Sequence, residues 1–328
     1  MGGALLRRIP VLLAMLAGSA SCSAAPPATA PLKLAQTIAL PDVGGRIDHL
    51  AVDLKRHRLF VAEVGDGSVD VIDLTRGAVV GRISGLKEPQ GVAWLPARDE
   101  LAVASGGDGT VRFYRHDLSA DGVMSFGDDA DNLRVDPRNG RLIVGYGSGA
   151  LAVIDPATRS VVQRVTLPGH PEGFRLFGDN AIVNVPDARR VIVADLVSGK
   201  IQSDWHARYR LNFPMAVDQG VAALVFRWPA RLLTMDLATG AIATDLSTCG
   251  DSDDVFFDAA RHRLLVSCGS GAVEVFGMVS GAYRSLGIAS TRSGARTALF
   301  VPELDRLFVA VRAGGGQAAE IRIYQPTD

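Results

Sequence analysis

Asp48, Asp131, Glu172 and Asp253 fall on one series of positions spaced about 41 residues apart, and Gln90, Phe213 and Arg296 fill its remaining steps. The next residue in each step is His49, Gly91, Asn132, Gly173, Pro214, Asp254 or Thr297. A fold that gathered these steps would set five carboxylates against the single guanidinium of Arg296, in a chain whose formal net charge is −1. Crowded like charges resist ionisation unless a cation or basic group is near. Asp48, His49, Asp131, Asp253 and Asp254 would then supply oxygen and nitrogen ligands to a divalent cation, with His170 and His206 in comparable loops. Arg227, Trp205 and Trp228 belong to similar loops and are of types that stack on a ligand. A structural reading stands beside this one. Asp and Asn in the segments DADN (129–132) and DSDD (251–254) suit turn capping, accepting hydrogen bonds from local backbone amides.

Other familiar chemistries leave no mark. The sequence holds no P-loop, no GxSxG elbow, no HExxH and no EF-hand loop. Gly106 to Thr110 (GGDGT) reads as a hairpin turn, because no helix follows it to cradle a phosphate. No CxxCH haem attachment occurs, and three Trp without a repeat pattern argue against a quinone-cofactor propeller. No cofactor is therefore assigned beyond the divalent cation that the acidic set would suit.

The elements that must position these residues are legible in Cys249 to Phe276, where short β segments (VFFD, LLVS, VEVF) are separated by tight turns. The first residues of the matching second strands are Leu59, Leu101, Leu142, Ala181, Ala223, Leu264 and Leu307, at separations of 39 to 43 residues. A β repeat of that period, with no helical pattern, signals propeller blades. The fold class is all-β: a seven-bladed β-propeller of four-stranded blades. Six repeats carry a fourth strand, and the last, ending EIRIYQP, does not. Lys33 to Leu40 has no partner of its own, so this N-terminal strand is expected to complete blade seven and close the ring. One propeller domain, 33–328, follows. Its loops entering each first strand surround one channel mouth, the top face. His57, His116 and His262 fall on the underside as solvated turn residues.

Residues 1–22 run from Arg7 and Arg8 through an apolar stretch, Ile9 to Ala17, to small residues, the order of an export signal. The apolar stretch is too short to span a membrane. The arginine pair lacks the preceding Ser or Thr of a twin-arginine signal, and Cys22 leaves lipid tethering open. Residues 23–32, rich in Pro and Ala, read as a disordered linker. The mature chain keeps two cysteines, Cys249 before the first strand of blade six and Cys268 ending its second. An exported chain with two cysteines left usually bonds them. A redox or metal-binding pair is the alternative, without CxxC spacing to support it. Hydrophobic content of 48% with 21% charged residues fits a well-cored β protein, and the near-neutral charge excludes nucleic acid and anionic membrane surfaces as partners. A closed ring of this kind is expected to be a monomer.

GRIDHLAVD (Gly45 to Asp53), RLFVA followed by GDGSVDVIDL, and CGDSDDVFFD with its later VSCGSG together resemble the YVTN/YncE-like β-propeller family over about residues 33–326, without a strict YVTN tetrapeptide. The resemblance implies an exported, periplasmic or extracellular seven-bladed propeller, mostly without assigned chemistry in the family. The expected function is a scaffold binding a protein or small-molecule ligand through its top face, at Asp48, His49, Asp131, Glu172, Arg227, Asp253, Asp254 and Arg296. The alternative is a metal-assisted, lactonase-like hydrolase with its site at the channel mouth, resting on likeness of architecture alone.

Overall fold

The computed structural model describes residues 1–3 and 30–328. Residues 4–29, which hold most of the expected export signal with Cys22 and most of the expected linker, lie outside the described residues. From Leu32 onward the chain forms seven four-stranded antiparallel sheets in a ring, interrupted only by two single 3₁₀ turns.

Each blade runs from an inner to an outer strand in chain order, except the last. There the N-terminal strand Leu32–Leu40 pairs antiparallel with Ala319–Pro326, as expected, and becomes the outer strand of blade seven. Second and third strands, such as Leu142–Tyr146 and Ala150–Asp155 of blade three, are almost wholly buried because sheets cover both their faces. Outer strands alternate, as in Ser160–Thr166 (SVVQRVT), because only one face is covered. In all seven blades a register shift interrupts the ladder of the outer strand, for example between Val71 and Ile72 and between Val275 and Phe276. Such bulges raise the local twist and turn the outer strand across the wedge of the blade.

The core is seven separate clusters, one at each junction between blades. Ala102, Val111 and Phe113 of blade two meet Leu133, Val144 and Ile154 of blade three. The closing junction joins Ile38, Phe308 and Ile321 of blade seven to Leu50, Leu59 and Ile72 of blade one. No blade buries its faces without neighbours, which is why one repeat cannot fold alone.

Underneath, Asp53, Asp73, Asp136, Asp155, Asp195 and Asp236 accept backbone N–H groups of their own turns at 2.8–3.0 Å. Arg56, Arg138 and Arg261 then reach across to Asp99, Asp179 and Asp305 of the following blade. His57 and His262 occupy left-handed turn positions there, and His116 lies 3.4 Å from Asp99.

Blade one buries a carboxyl pair, Glu63 and Asp70, with Asp70 held by Arg82 at 2.6 Å. Glu63 accepts from the Ser68 hydroxyl, while its Oε1 has no hydrogen-bond partner among the described residues. Burial, then the Asp70 charge, pushes the Glu63 carboxyl up to about 8. The folded chain thus holds a proton that the unfolded chain releases above its ordinary value of 4.5. Stability from this group is full below that value and is lost as pH rises through 8. Glu63→Gln is expected to remove that slope and to stabilise the protein at pH 9 by on the order of 1–3 kcal/mol. Thermal melts of both proteins between pH 5 and pH 9 check this; parallel pH profiles would contradict it.

Candidate functional site

A cavity of about 230 Å³ opens at the channel mouth, lined from all seven blades. The rim series Asp48, Gln90, Asp131, Glu172, Phe213, Asp253 and Arg296 lines it completely, and His49, Asn132, Gly173, Pro214 and Asp254 join from the next position. Each loop enters its inner strand through hydrogen bonds to the second strand, such as Asp48 N–H to the Ala62 carbonyl at 2.8 Å and Glu172 N–H to Asn184 at 3.0 Å. Two steps of that next position require glycine. A Cβ on Gly91 would lie 1.9 Å from the Asp131 carbonyl oxygen, and one on Gly173 would lie 2.4 Å from that of Phe213. Neighbouring loops cross there with no room for a side chain. Asn184 fixes the next loop by donating to the carbonyls of Phe213 and Pro214, both at 3.2 Å.

The expectation of five acids against one base needs correction. Six carboxylates, with Asp129 added, meet five guanidiniums and two imidazoles around the cavity. Arg46 pairs with Asp48, and Arg227 pairs with Asp253 while stacking over Phe213 at 4.2 Å. Arg296 bridges Asp253 at 3.1 Å and Asp251 at 3.0 Å. His170 sits 3.7 Å from Asp129 and 4.0 Å from Asp131, and its Nδ1 meets the Gly147 carbonyl at 2.6 Å. Burial disfavours its charge, but Asp131, that carbonyl and Asp129 outweigh burial and raise it to about 9. Against its own burial, Asp131 is in turn held low by His170, His49 and Arg46. The acidic rim is a mesh of ion pairs.

Turn capping is also corrected. Of Asp48, Asp131, Glu172, Asp253 and Asp254, only Asp254 accepts a backbone N–H among the described residues, that of Ala298 in the next blade at 2.8 Å. The repeated capping aspartates are those of the underside, while on the top face Asp108 and Asp66, outside the rim series, accept from Thr110 and Gly44.

Four charged groups of the cavity have no ion partner among the described residues. Burial, then the Asp131 charge, pushes Glu172 up to about 7. Burial likewise raises Asp254 to about 7. Arg134 and Arg175 are the other two, and the sequence reading missed both. Burial, then the charge of Arg175, lowers Arg134 to about 9, and burial lowers Arg175. Their signal was present three residues beyond the rim series, where the inner strands carry Ala51, Ala93, Arg134, Arg175, Ala216, Phe256 and Leu299. Only the two adjacent blades three and four place arginine there.

Other expected residues lie elsewhere. Trp228 is 70% exposed and does not line the cavity. Trp205 and His206 end the outer strand Ile201–His206 and border a separate pocket between blades four and five. Among the described residues no three His, Cys, Asp or Glu side chains are grouped to hold a metal ion. Cys249 and Cys268 are bonded, with Cα atoms 5.9 Å apart. Among the described residues no helix is long and apolar enough to cross a membrane.

The fold has close likenesses among solved structures. A chain in a crystal structure of the mitotic checkpoint complex superimposes with a TM-score of 0.76 at 14% identity, covering 98% of this chain and 100% of that one. At that identity the likeness carries the fold alone: this is a seven-bladed β-propeller. No protein-family model matches the chain. No curated protein matches it either.

Proposed function

We propose that this chain is an exported, non-catalytic propeller of the YVTN/YncE-like kind that binds a small polar ligand in its top-face cavity. One observation carries this reading: every blade sends a side chain into one cavity, and Arg134, Arg175, Glu172 and Asp254 there sit near opposite charges without forming an ion pair with any described residue. Buried charges without partners are costly, and a ligand that pairs with them recovers that cost. The disulfide supports export, since such bonds persist in oxidising compartments. The hydrolase alternative gains no support from the geometry, because Asp48 and Asp253 are engaged by arginines, and Asp129 and Asp131 by His170, rather than poised beside a nucleophile.

The test places a covalent plug at the mouth. Gln90 borders the cavity and bonds Arg46 at 2.6 Å. With Cys249 and Cys268 bonded, Gln90→Cys provides a thiol for a bulky maleimide, and treated wild type controls for Cys22. Calorimetry with a panel of small anions, cations, zwitterions and neutral sugars is expected to show saturable binding by one class. Modification of the variant should abolish that binding, and a lactone panel should show no turnover. Binding indifferent to the plug, no binding by any class, or lactone turnover would each overturn the proposal.

A further inference from the structure

The two channel arginines differ from every other guanidinium at the mouth. Arg134 donates to the Leu133 carbonyl at 2.6 Å, to the Phe174 carbonyl at 3.2 Å and to Asn132 Oδ1 at 3.2 Å. Arg175 donates to the same Phe174 carbonyl, at 3.0 Å. One carbonyl oxygen thus gathers two guanidiniums from adjacent blades, and neither makes an ion pair with a described carboxylate. Arg134 also lies over the Phe174 ring at 5.4 Å, a contact that holds its plane in place. Arg175 is the freer of the two: a guanidinium carries five N–H donors, and Arg175 makes one side-chain hydrogen bond to the described residues.

Two like charges brought onto one acceptor repel each other, and a shared anion is the natural relief. Planar forks of this kind match carboxylate and phosphate oxygens two at a time. We infer that Arg134 and Arg175 form the recognition site for a compact oxyanion, a carboxylate or phosphate group carried by the ligand of the top-face cavity. The inference rests on the proposed binding function and specifies its ligand class.

The surrounding acids are compatible with this. Asp48 and Asp253 are matched by Arg46, Arg227 and Arg296, and Asp131 by His170. Glu172 faces Asp131, Asp253, Asp48 and His170, while Asp254 faces His49, Asp253 and Arg175. As pH falls from 8 to 6, both unpartnered acids take up protons and no group of the cavity gains negative charge. An anion should therefore bind more tightly at pH 6. A cation held by the carboxylates would do the reverse.

Inorganic phosphate and succinate, titrated into the purified full chain by calorimetry at pH 6 and pH 8, test the inference and separate its two sources. At least one is expected to bind saturably. Succinate, which stays largely dianionic over this range, should bind several-fold more tightly at pH 6. Phosphate itself takes up a proton there, so its binding is compared between variants at one pH. Arg175→Met should weaken it by about tenfold or more. Arg175→Lys, which keeps the charge but loses the fork, guards against a folding artefact and should fall between. Asp253→Asn with Asp254→Asn should preserve or strengthen anion binding. If neither anion binds while Ca²⁺, putrescine or a neutral sugar does, the oxyanion inference fails and the ligand-binding function stands. Anion binding that survives Arg175→Met unchanged also overturns the inference.

Discussion

A chain that begins at Gly44 is expected to aggregate or to lose cooperative unfolding. The missing strand Leu32–Leu40 makes eight residue pairs with Ala319–Pro326. It places Ile38 and Leu40 in the junction of blades seven and one, and Leu32 in that of blades six and seven. Burying three such side chains stabilises a fold by roughly 5–9 kcal/mol. That is comparable to the whole stability of an ordinary domain, about 5–15 kcal/mol. The truncation also bares the edge of Ala319–Pro326 as a template for pairing with a second chain. Size-exclusion chromatography and calorimetric melting decide the matter. A monodisperse truncated protein with an unchanged melting temperature would refute the ring closure.

Loss of the Cys249–Cys268 bond is expected to be the next largest effect. The bond closes a loop with a sequence separation of 19 residues, for which chain entropy suggests about 3 kcal/mol. In a domain of this size that corresponds to a fall in melting temperature of roughly 5 °C. The Cys249 N–H donates to Glu274 at 2.9 Å, so the bond and this contact together anchor the segment leading to Asp251, Asp253 and Asp254. Cys249→Ala with Cys268→Ala should therefore both destabilise the protein and loosen the cavity wall formed by blade six. Scanning calorimetry of oxidised, reduced and doubly substituted protein measures this. Equal melting temperatures, with mass spectrometry showing free thiols in the reduced sample, would contradict it.

Much of the architecture was legible because propeller physics writes itself locally. Seven repeats of one period, a spare N-terminal strand and a last repeat short of one strand leave ring closure as the economical solution, and Leu32–Leu40 occupies that place. The rim series was legible for the same reason: equivalent positions of equivalent blades converge on one axis. What escaped was pairing between blades. Arg46 lies two residues before Asp48, and nothing in its spacing says that it turns back to neutralise that carboxylate. Arg134 and Arg175 escaped because attention to loops passes over strand residues. In most blades that inner-strand position holds Ala, Phe or Leu, so two arginines read as ordinary variation until the strands are seen side by side. The capping reading, held beside the ligand reading for the DADN and DSDD segments, fails at the rim because the repeated capping aspartates lie on the underside.

Hydrogen–deuterium exchange of the full chain, with and without saturating succinate or inorganic phosphate at pH 6, tests the central claim most directly. Binding at the channel mouth should protect amides where blades three and four enter the cavity, around Ala130–Val135 and Phe174–Phe177, and leave the underside turns around Asp53 and Asp258 unchanged. Protection confined to the underside or to the outer strands, or no protection with either anion at concentrations that saturate a calorimetric signal, would contradict the account.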